Sequence, residues 1–230
     1  MTGNAPTPSR PPPLETVELG PADAEASVVW LHGLGADGHD FVPAVEALSF
    51  AGKERVRFVL PHAPVRPVTV NGGLPMRAWF DIYAIEPGAP QDEAGLRESA
   101  AAVAALLARE TARGVPPARQ VLAGFSQGGA TALFTGLRQA RPLAGIMVLS
   151  GWLPLAAATE AEATTAGRGT PVFMAHGRHD PVVPFALGQA ARRRLEALGC
   201  SVDWHEYDLD HSVSLDELAD IGRWLECVLA

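Results

Sequence analysis

Gly124-Phe125-Ser126-Gln127-Gly128 places a serine between glycines two residues before and two after it. The apolar run Gln120-Val121-Leu122-Ala123 precedes it and the helix-compatible run Ala130–Phe134 follows. In that context the G-x-S-x-G pattern describes a serine held on a sharp strand-to-helix turn, its backbone strained and its hydroxyl exposed above the sheet. The flanking glycines are needed because strand and helix pass too close for larger side chains. The pentapeptide alone is a weak signal in a chain with 23 glycines, so the argument rests on its flanks and on residues downstream.

A serine hydroxyl is a poor nucleophile until a base takes its proton, and imidazole suits that task near neutral pH. The chain has seven histidines. His205 lies inside the last apolar run. His32, His62, His176 and His179 sit at strand ends, but either precede the serine or adjoin the candidate acid. His211 lies in the loop after the last strand, three residues before a helix cap, where it can swing over the sheet edge. Asp180 follows the run Pro171–Ala175 through His176-Gly177-Arg178-His179. A carboxylate there would hold the ring in one tautomer and stabilise the imidazolium. Asp208 and Asp210 are rivals better suited to a solvated loop.

His32-Gly33-Leu34-Gly35-Ala36-Asp37-Gly38 matches G-x-G-x-x-G after a strand. A dinucleotide site would also need an acid about twenty residues on, yet the second strand ends Val59-Leu60-Pro61-His62-Ala63. An oxyanion loop fits better, with Leu34 N–H as one donor and Gln127 N–H, at a helix N-terminus, as the other.

The elements that must position these residues alternate. Ser27–Leu31, Val56–Leu60, Gln120–Phe125, Gly145–Leu149 and Pro171–Ala175 are continuous apolar runs, as expected of strands covered on both faces in a parallel sheet. Leu14–Leu19 reads as an edge strand and Val202–Tyr207 as the last strand. A helix begins at Asp92 with Leu96, Ala100, Val103 and Leu107 on one face, ending before Gly114. Pro184 suits a first helical position, with Gly199 as the stop. Ser214 and Glu217 form a capping box, with Val213 and Leu218 as a hydrophobic staple, for a last helix from Leu215 to about Val228. The alternation predicts an α/β fold, a mostly parallel central sheet with helices on both faces. Such sheets bind ligands at the carboxyl ends of their strands.

At 230 residues and 47% hydrophobic content, the chain suits one domain, assigned to residues 14–230. Residues 1–13 are Pro-rich and polar and are expected to be a disordered tail, neither signal peptide nor membrane span. A formal charge of −8 argues against nucleic acid or an anionic membrane surface as partner. Cys200 and Cys227 suggest neither a disulfide scaffold nor a zinc site; free thiols in a reducing cytoplasm are the expectation.

With these residues assembled, the chain resembles the phospholipase/carboxylesterase family of α/β-hydrolases, which includes the acyl-protein thioesterases. The likeness runs from about Val28 to Leu225 and rests on Leu31-His32-Gly33-Leu34-Gly35, Pro61-His62-Ala63-Pro64, Trp79-Phe80-Asp81-Ile82, Gly124–Gly129, Ser150-Gly151-Trp152-Leu153-Pro154 and Asp180-Pro181-Val182-Val183-Pro184. Ser126, Asp180, His211 is also the chain order of such hydrolases. The resemblance looks closer to the bacterial carboxylesterases, given Ala36-Asp37-Gly38-His39-Asp40-Phe41. Eukaryotic members tend to carry small or methionine residues just before the histidine. Leu209-Asp210 departs from that, which bears on protein depalmitoylation and leaves the triad untouched.

The resemblance implies a serine esterase or thioesterase with no metal and no cofactor. Its substrate would be a small-molecule ester of short to medium chain, without integral membrane association; a homodimer is compatible. Lysophospholipid or S-acyl protein is the alternative substrate, and a non-catalytic binding protein on the same fold is the alternative of another class. Pro61–Gln91 is a long connection of the kind that usually carries function. The expected acyl pocket comprises Leu74, Met76, Trp79, Trp152, Leu153 and Val182, although Trp79 and Phe80 also suit a role in covering the core.

Overall fold

The computed structural model describes residues 13–86 and 88–230. The expected tail, residues 1–13, lies outside the described residues apart from Pro13. Among the described residues nine strands occur: β1 Thr16–Leu19, β2 Ala26–Leu31, β3 Val56–Pro61, β4 Val65–Val68, β5 Leu74–Arg77, β6 Gln120–Phe125, β7 Gly145–Leu149, β8 Val172–Gly177 and β9 Val202–Tyr207. Seven helices accompany them: α1 Val42–Ala47, α2 Glu93–Ala112, α3 Gln127–Gly136, α4 Ala156–Glu162, α5 Thr165–Arg168, α6 Phe185–Ala197 and α7 Leu215–Val228. No helix among the described residues is long and apolar enough to cross a membrane.

The main sheet runs β1-β3-β2-β6-β7-β8-β9. Only β1 is antiparallel, pairing Thr16 with Pro61 through Leu19 with Phe58 on the outer edge of β3. Every residue of β2, β3, β7 and β8 is buried, because helices cover both faces. Alternation then sorts the side chains. Val28 and Trp30 join the layer under α1 and α7, with Val45, Ile221, Trp224 and Leu225. Val29 and Leu31 face the opposite layer, with Leu96 and Val103 of α2 and Ala130 and Phe134 of α3. Ala191 and Leu195 of α6 pack on Val148, Val172 and Met174. Since the six strands other than β1 are parallel, the loops after β2, β3, β6, β7, β8 and β9 all leave from one edge of the sheet.

Three local features depart from the sequence expectations. Two strands, β4 and β5, form an antiparallel hairpin inside the Pro61–Gln91 connection. Its turn uses Gly72 and Gly73 at φ +68° and +78°, and Pro67 pairs with Pro75, so prolines hide both strands from sequence patterning. β8 runs on to Gly177, carrying His176 into the sheet. Pro184 caps α6 rather than opening it. Other boundaries agree: Asp92 caps α2 through Gly95 N, and Ser214 caps α7 through Glu217 N.

Two buried charges make the fold's stability testable. Arg57 on β3 donates to Glu110 on α2 through Nε (2.8 Å), and both side chains are withdrawn from solvent. Glu110→Ala strands the guanidinium and should cost about 3–5 kcal/mol in urea unfolding. Arg113→Ala, which removes a partly exposed partner of Glu110, should cost about 1 kcal/mol or less.

Glu217 is also buried, and burial outweighs the Ser214 backbone N–H to push its carboxyl up to about 8. The folded state therefore holds a proton that the unfolded chain releases near the ordinary value of 4.5. The contribution of Glu217 to stability therefore falls as pH rises between about 5 and 8. Glu217→Gln should flatten that slope, measured by urea unfolding across the window; an unchanged slope would contradict the assignment.

Candidate active site

The turn from β6 to α3 holds Ser126 at φ 54°, ψ −121°, backbone geometry that costs a non-glycine residue about 1–3 kcal/mol. Two hydrogen bonds hold it there: Ser126 N–H donates to Leu149 O on β7 (2.8 Å), and Ala130 N–H donates to Ser126 O (3.0 Å). A Cβ on Gly124 would sit 2.2 Å from Gly128 O, and one on Gly128 would sit 2.4 Å from Leu31 O. Strand, helix and the end of β2 thus touch backbone to backbone.

Asp180 lies in the turn after β8, its side chain fully buried. Oδ1 accepts the N–H groups of Val182 and Val183, both at 2.8 Å. Oδ2 lies 2.6 Å from His211 Nδ1. With Nδ1–H donated to the carboxylate, His211 Nε2 carries the lone pair. The His211 ring packs on Phe125, centroids 4.6 Å apart, beside Ser126. Its loop is fixed to the end of β8: His179 N–H donates to Leu209 O (2.9 Å), and a Cβ on Gly177 would meet Asp210 O at 2.3 Å. The rival acids bond elsewhere, Asp208 to His179 and Asp210 to Ser212. Ser126 Oγ and His211 are not hydrogen-bonded to each other; such contacts commonly tighten only when substrate binds.

His176, at the end of β8, lies with Nε2 2.9 Å from Val183 O and 3.4 Å from Asp180 Oδ2. Burial pushes its pKa below the ordinary value, so it stays neutral beside the acid.

The loop after β2 is pinned from several sides. His32 is buried; its Nδ1 donates to Gly33 O (2.7 Å), and its Nε2 accepts from Ala63 N–H (3.0 Å). Trp79 Nε1 donates to His32 O (2.9 Å), Gly35 N–H to Arg77 O (2.9 Å), and Gly38 N–H to His62 Nδ1 (3.1 Å). A Cβ on Gly33 would lie 3.5 Å from Ser126 Cβ, so this loop reaches the serine. Leu34 N–H makes no backbone hydrogen bond. Gln127 N–H opens α3 and has no intrahelical acceptor. Both expected donors are therefore available to an oxyanion.

Two supports went unseen in the sequence. The Gln127 side chain is fully buried: Oε1 accepts from Trp79 N–H (2.9 Å), and Nε2 donates to Phe80 O (2.7 Å). His32 was set aside as a base but not recognised as a brace. The available signal was a polar side chain closing an otherwise apolar strand.

The expected pocket set divides. Trp152 and Leu153 line a cleft of about 210 Å³ with Phe80, Ile82, Tyr83 and Leu187. Trp79 is a correction: it is fully buried beneath the loop after β2 and is absent from the lining of this cleft. Leu74 and Val182 are 62% and 46% exposed, so neither is an enclosed wall, while the Met76 sulfur adjoins Gly35. Among the described residues, one cluster has metal-ligand chemistry, Asp37, His39 and His62.

The family model described as Phospholipase/Carboxylesterase matches residues 13–229. Acyl-protein thioesterase 1 of Neurospora crassa is 41% identical over 228 residues, 94% of this chain and 91% of that protein. The crystal structure of Arabidopsis thaliana SOBER1 superposes with a TM-score of 0.86 at 34% identity, covering 90% of this chain and all of that one. Zea mays acyl-protein thioesterase 2 gives a TM-score of 0.82 at 32% identity, over 94% of this chain and 99% of that one.

Gln127→Leu keeps the main-chain donor but leaves Trp79 N–H and Phe80 C=O buried without partners. It should cost about 2–4 kcal/mol in urea unfolding. A loss well under 1 kcal/mol would mean that the side chain is no clamp.

Proposed function

We propose a reading whose premise is plain: this chain belongs to the phospholipase/carboxylesterase family. It is a hydrolase of the esterase and thioesterase class. Within that class, the reading we favour is hydrolysis of short- to medium-chain carboxylic esters through an acyl-enzyme. The observation that carries it is the Asp180–His211 bond, 2.6 Å long, on a ring packed against Phe125, the residue before Ser126.

In the first half-reaction His211 Nε2 takes the Ser126 proton as Oγ attacks the ester carbonyl. Asp180, its other oxygen saturated by two amides, stabilises the imidazolium without taking its proton. The Leu34 and Gln127 N–H groups receive the developing oxyanion. Collapse expels the alcohol, which leaves with the proton from His211. Water then attacks the acyl-enzyme, giving its proton to His211, and the second collapse releases the acid and restores Ser126. Nothing in these steps needs a metal or cofactor.

A second reading, cleavage of an S-acyl protein or lysophospholipid, has one observation in its favour: the 41% identical relative is named an acyl-protein thioesterase. Thioesters would follow the same route, since the leaving group asks little of the triad.

The test compares p-nitrophenyl butyrate, p-nitrophenyl octanoate and a palmitoyl thioester with wild type, Ser126→Ala and His211→Ala, with no metal added. Both variants should lose activity to a similar extent, because triad members act as a unit. Near-normal turnover in His211→Ala would overturn the base assignment. Faster turnover of the palmitoyl thioester than of either ester would favour the second reading.

A further inference from the structure

Asp37, His39 and His62 stand together outside the catalytic residues, on the outer side of the oxyanion loop. Asp37 Oδ1 accepts His39 N–H (2.7 Å) and lies 3.1 Å from His39 Nδ1. The His39 and His62 rings have centroids 5.3 Å apart. One ligand atom from each of the three lies within 4.8 Å of the others. Tetrahedral zinc, with bonds of about 2.0–2.2 Å, sets its donors roughly 3.4 Å apart, so closure needs only a small rotamer change. The side chains of His39 and Asp37 are 68% and 45% exposed and free to make it. Two imidazoles and a carboxylate suit zinc-like transition ions rather than magnesium or calcium.

The histidine that completes the cluster is already in use. A neutral imidazole has one lone-pair nitrogen. In His62 that nitrogen is Nδ1, and it accepts Gly38 N–H. An ion can take Nδ1 directly, displacing Gly38. It can instead take Nε2 after a tautomer shift that turns Nδ1–H against Gly38 N–H. Either route breaks the Gly38 tether.

We propose that Asp37, His39 and His62 form an inhibitory site for a zinc-type divalent ion, and that occupancy unfastens the loop carrying Leu34. The ion takes no part in the reaction. Binding stands on the cluster alone, whereas inhibition rests on the oxyanion role given to Leu34 under the proposed function.

The experiment uses the full chain and Zn²⁺ alone as probe, with binding read by competition against a chromophoric chelator. Hydrolysis of p-nitrophenyl butyrate is followed in the same titration, each variant normalised to its own metal-free rate. Wild type should bind one ion, and activity should fall with the same midpoint. His39→Ala and Asp37→Asn should weaken binding by about 10–100-fold or more and shift the inhibition midpoint equally. Unchanged zinc affinity in both variants would overturn the site. Inhibition of His39→Ala at the wild-type midpoint would place the ion elsewhere, on His211 for example, and would also overturn it. Binding lost in the variants, with wild-type activity untouched at saturation, would overturn the coupling to the loop. A wild type that hydrolyses nothing counts against the proposed function, while the chelator titration still decides the site.

Discussion

Where β6 passes into α3, three stretches of backbone meet with no room for side chains between them. Gly124 lies against Gly128, Gly128 against the end of β2, and the strained residue between them is Ser126. Close contact of this kind stores strain only while the surroundings hold it. Here the holding is done by Leu149 O on the adjacent strand and by α3, all ten of whose residues are buried. The oxyanion loop, the Trp79–Phe80 segment and the cleft walls are then built outward from that crossing. Gln127 reaches from the helix to Trp79 and Phe80, and the loop carrying Trp152 and Leu153 follows the strand that accepts Ser126 N–H.

Histidines in this chain illustrate how environment assigns roles to one side-chain type. His32 spends both ring nitrogens on loop geometry. His176 is buried against Val183 O and stays neutral. His179 and His205 pair with exposed aspartates at the surface. His211 alone combines a buried carboxylate on one nitrogen with a ring packed against Phe125, next to the serine in the chain. Asp180 accepts two amides and an imidazole, so both of its buried oxygens have hydrogen-bond partners.

Much of this was legible in the sequence, for a physical reason. Strands buried on both faces must be continuously apolar, so β2, β3, β6, β7 and β8 were found nearly to the residue. Parallel strands send their loops to one edge, which allowed Asp180 and His211 to be chosen among rivals. The hairpin β4–β5 was not legible, since prolines at paired positions erase the alternation of its strands. The cleft was legible only in part. An aromatic under a loop and an aromatic lining a cleft look alike in sequence, so Trp79 was placed on the wall together with Trp152, and only Trp152 lines the cleft. Leu187 lies on α6, and only tertiary packing brings it to the same cleft.

The strand order has a kinetic side. β2 finds one neighbour in β3 and the other in β6, with the hairpin connection and all of α2 between β3 and β6. Pairings of such separation close large loops and form slowly compared with local contacts. The serine turn is complete only after β7 joins β6, and the histidine loop only after β9 joins β8. Collapsed chains with most of their helices formed would still not bring Ser126, Asp180 and His211 together. Recovery of hydrolysis during refolding would therefore time the closing of the sheet, reporting the last strands home rather than the first.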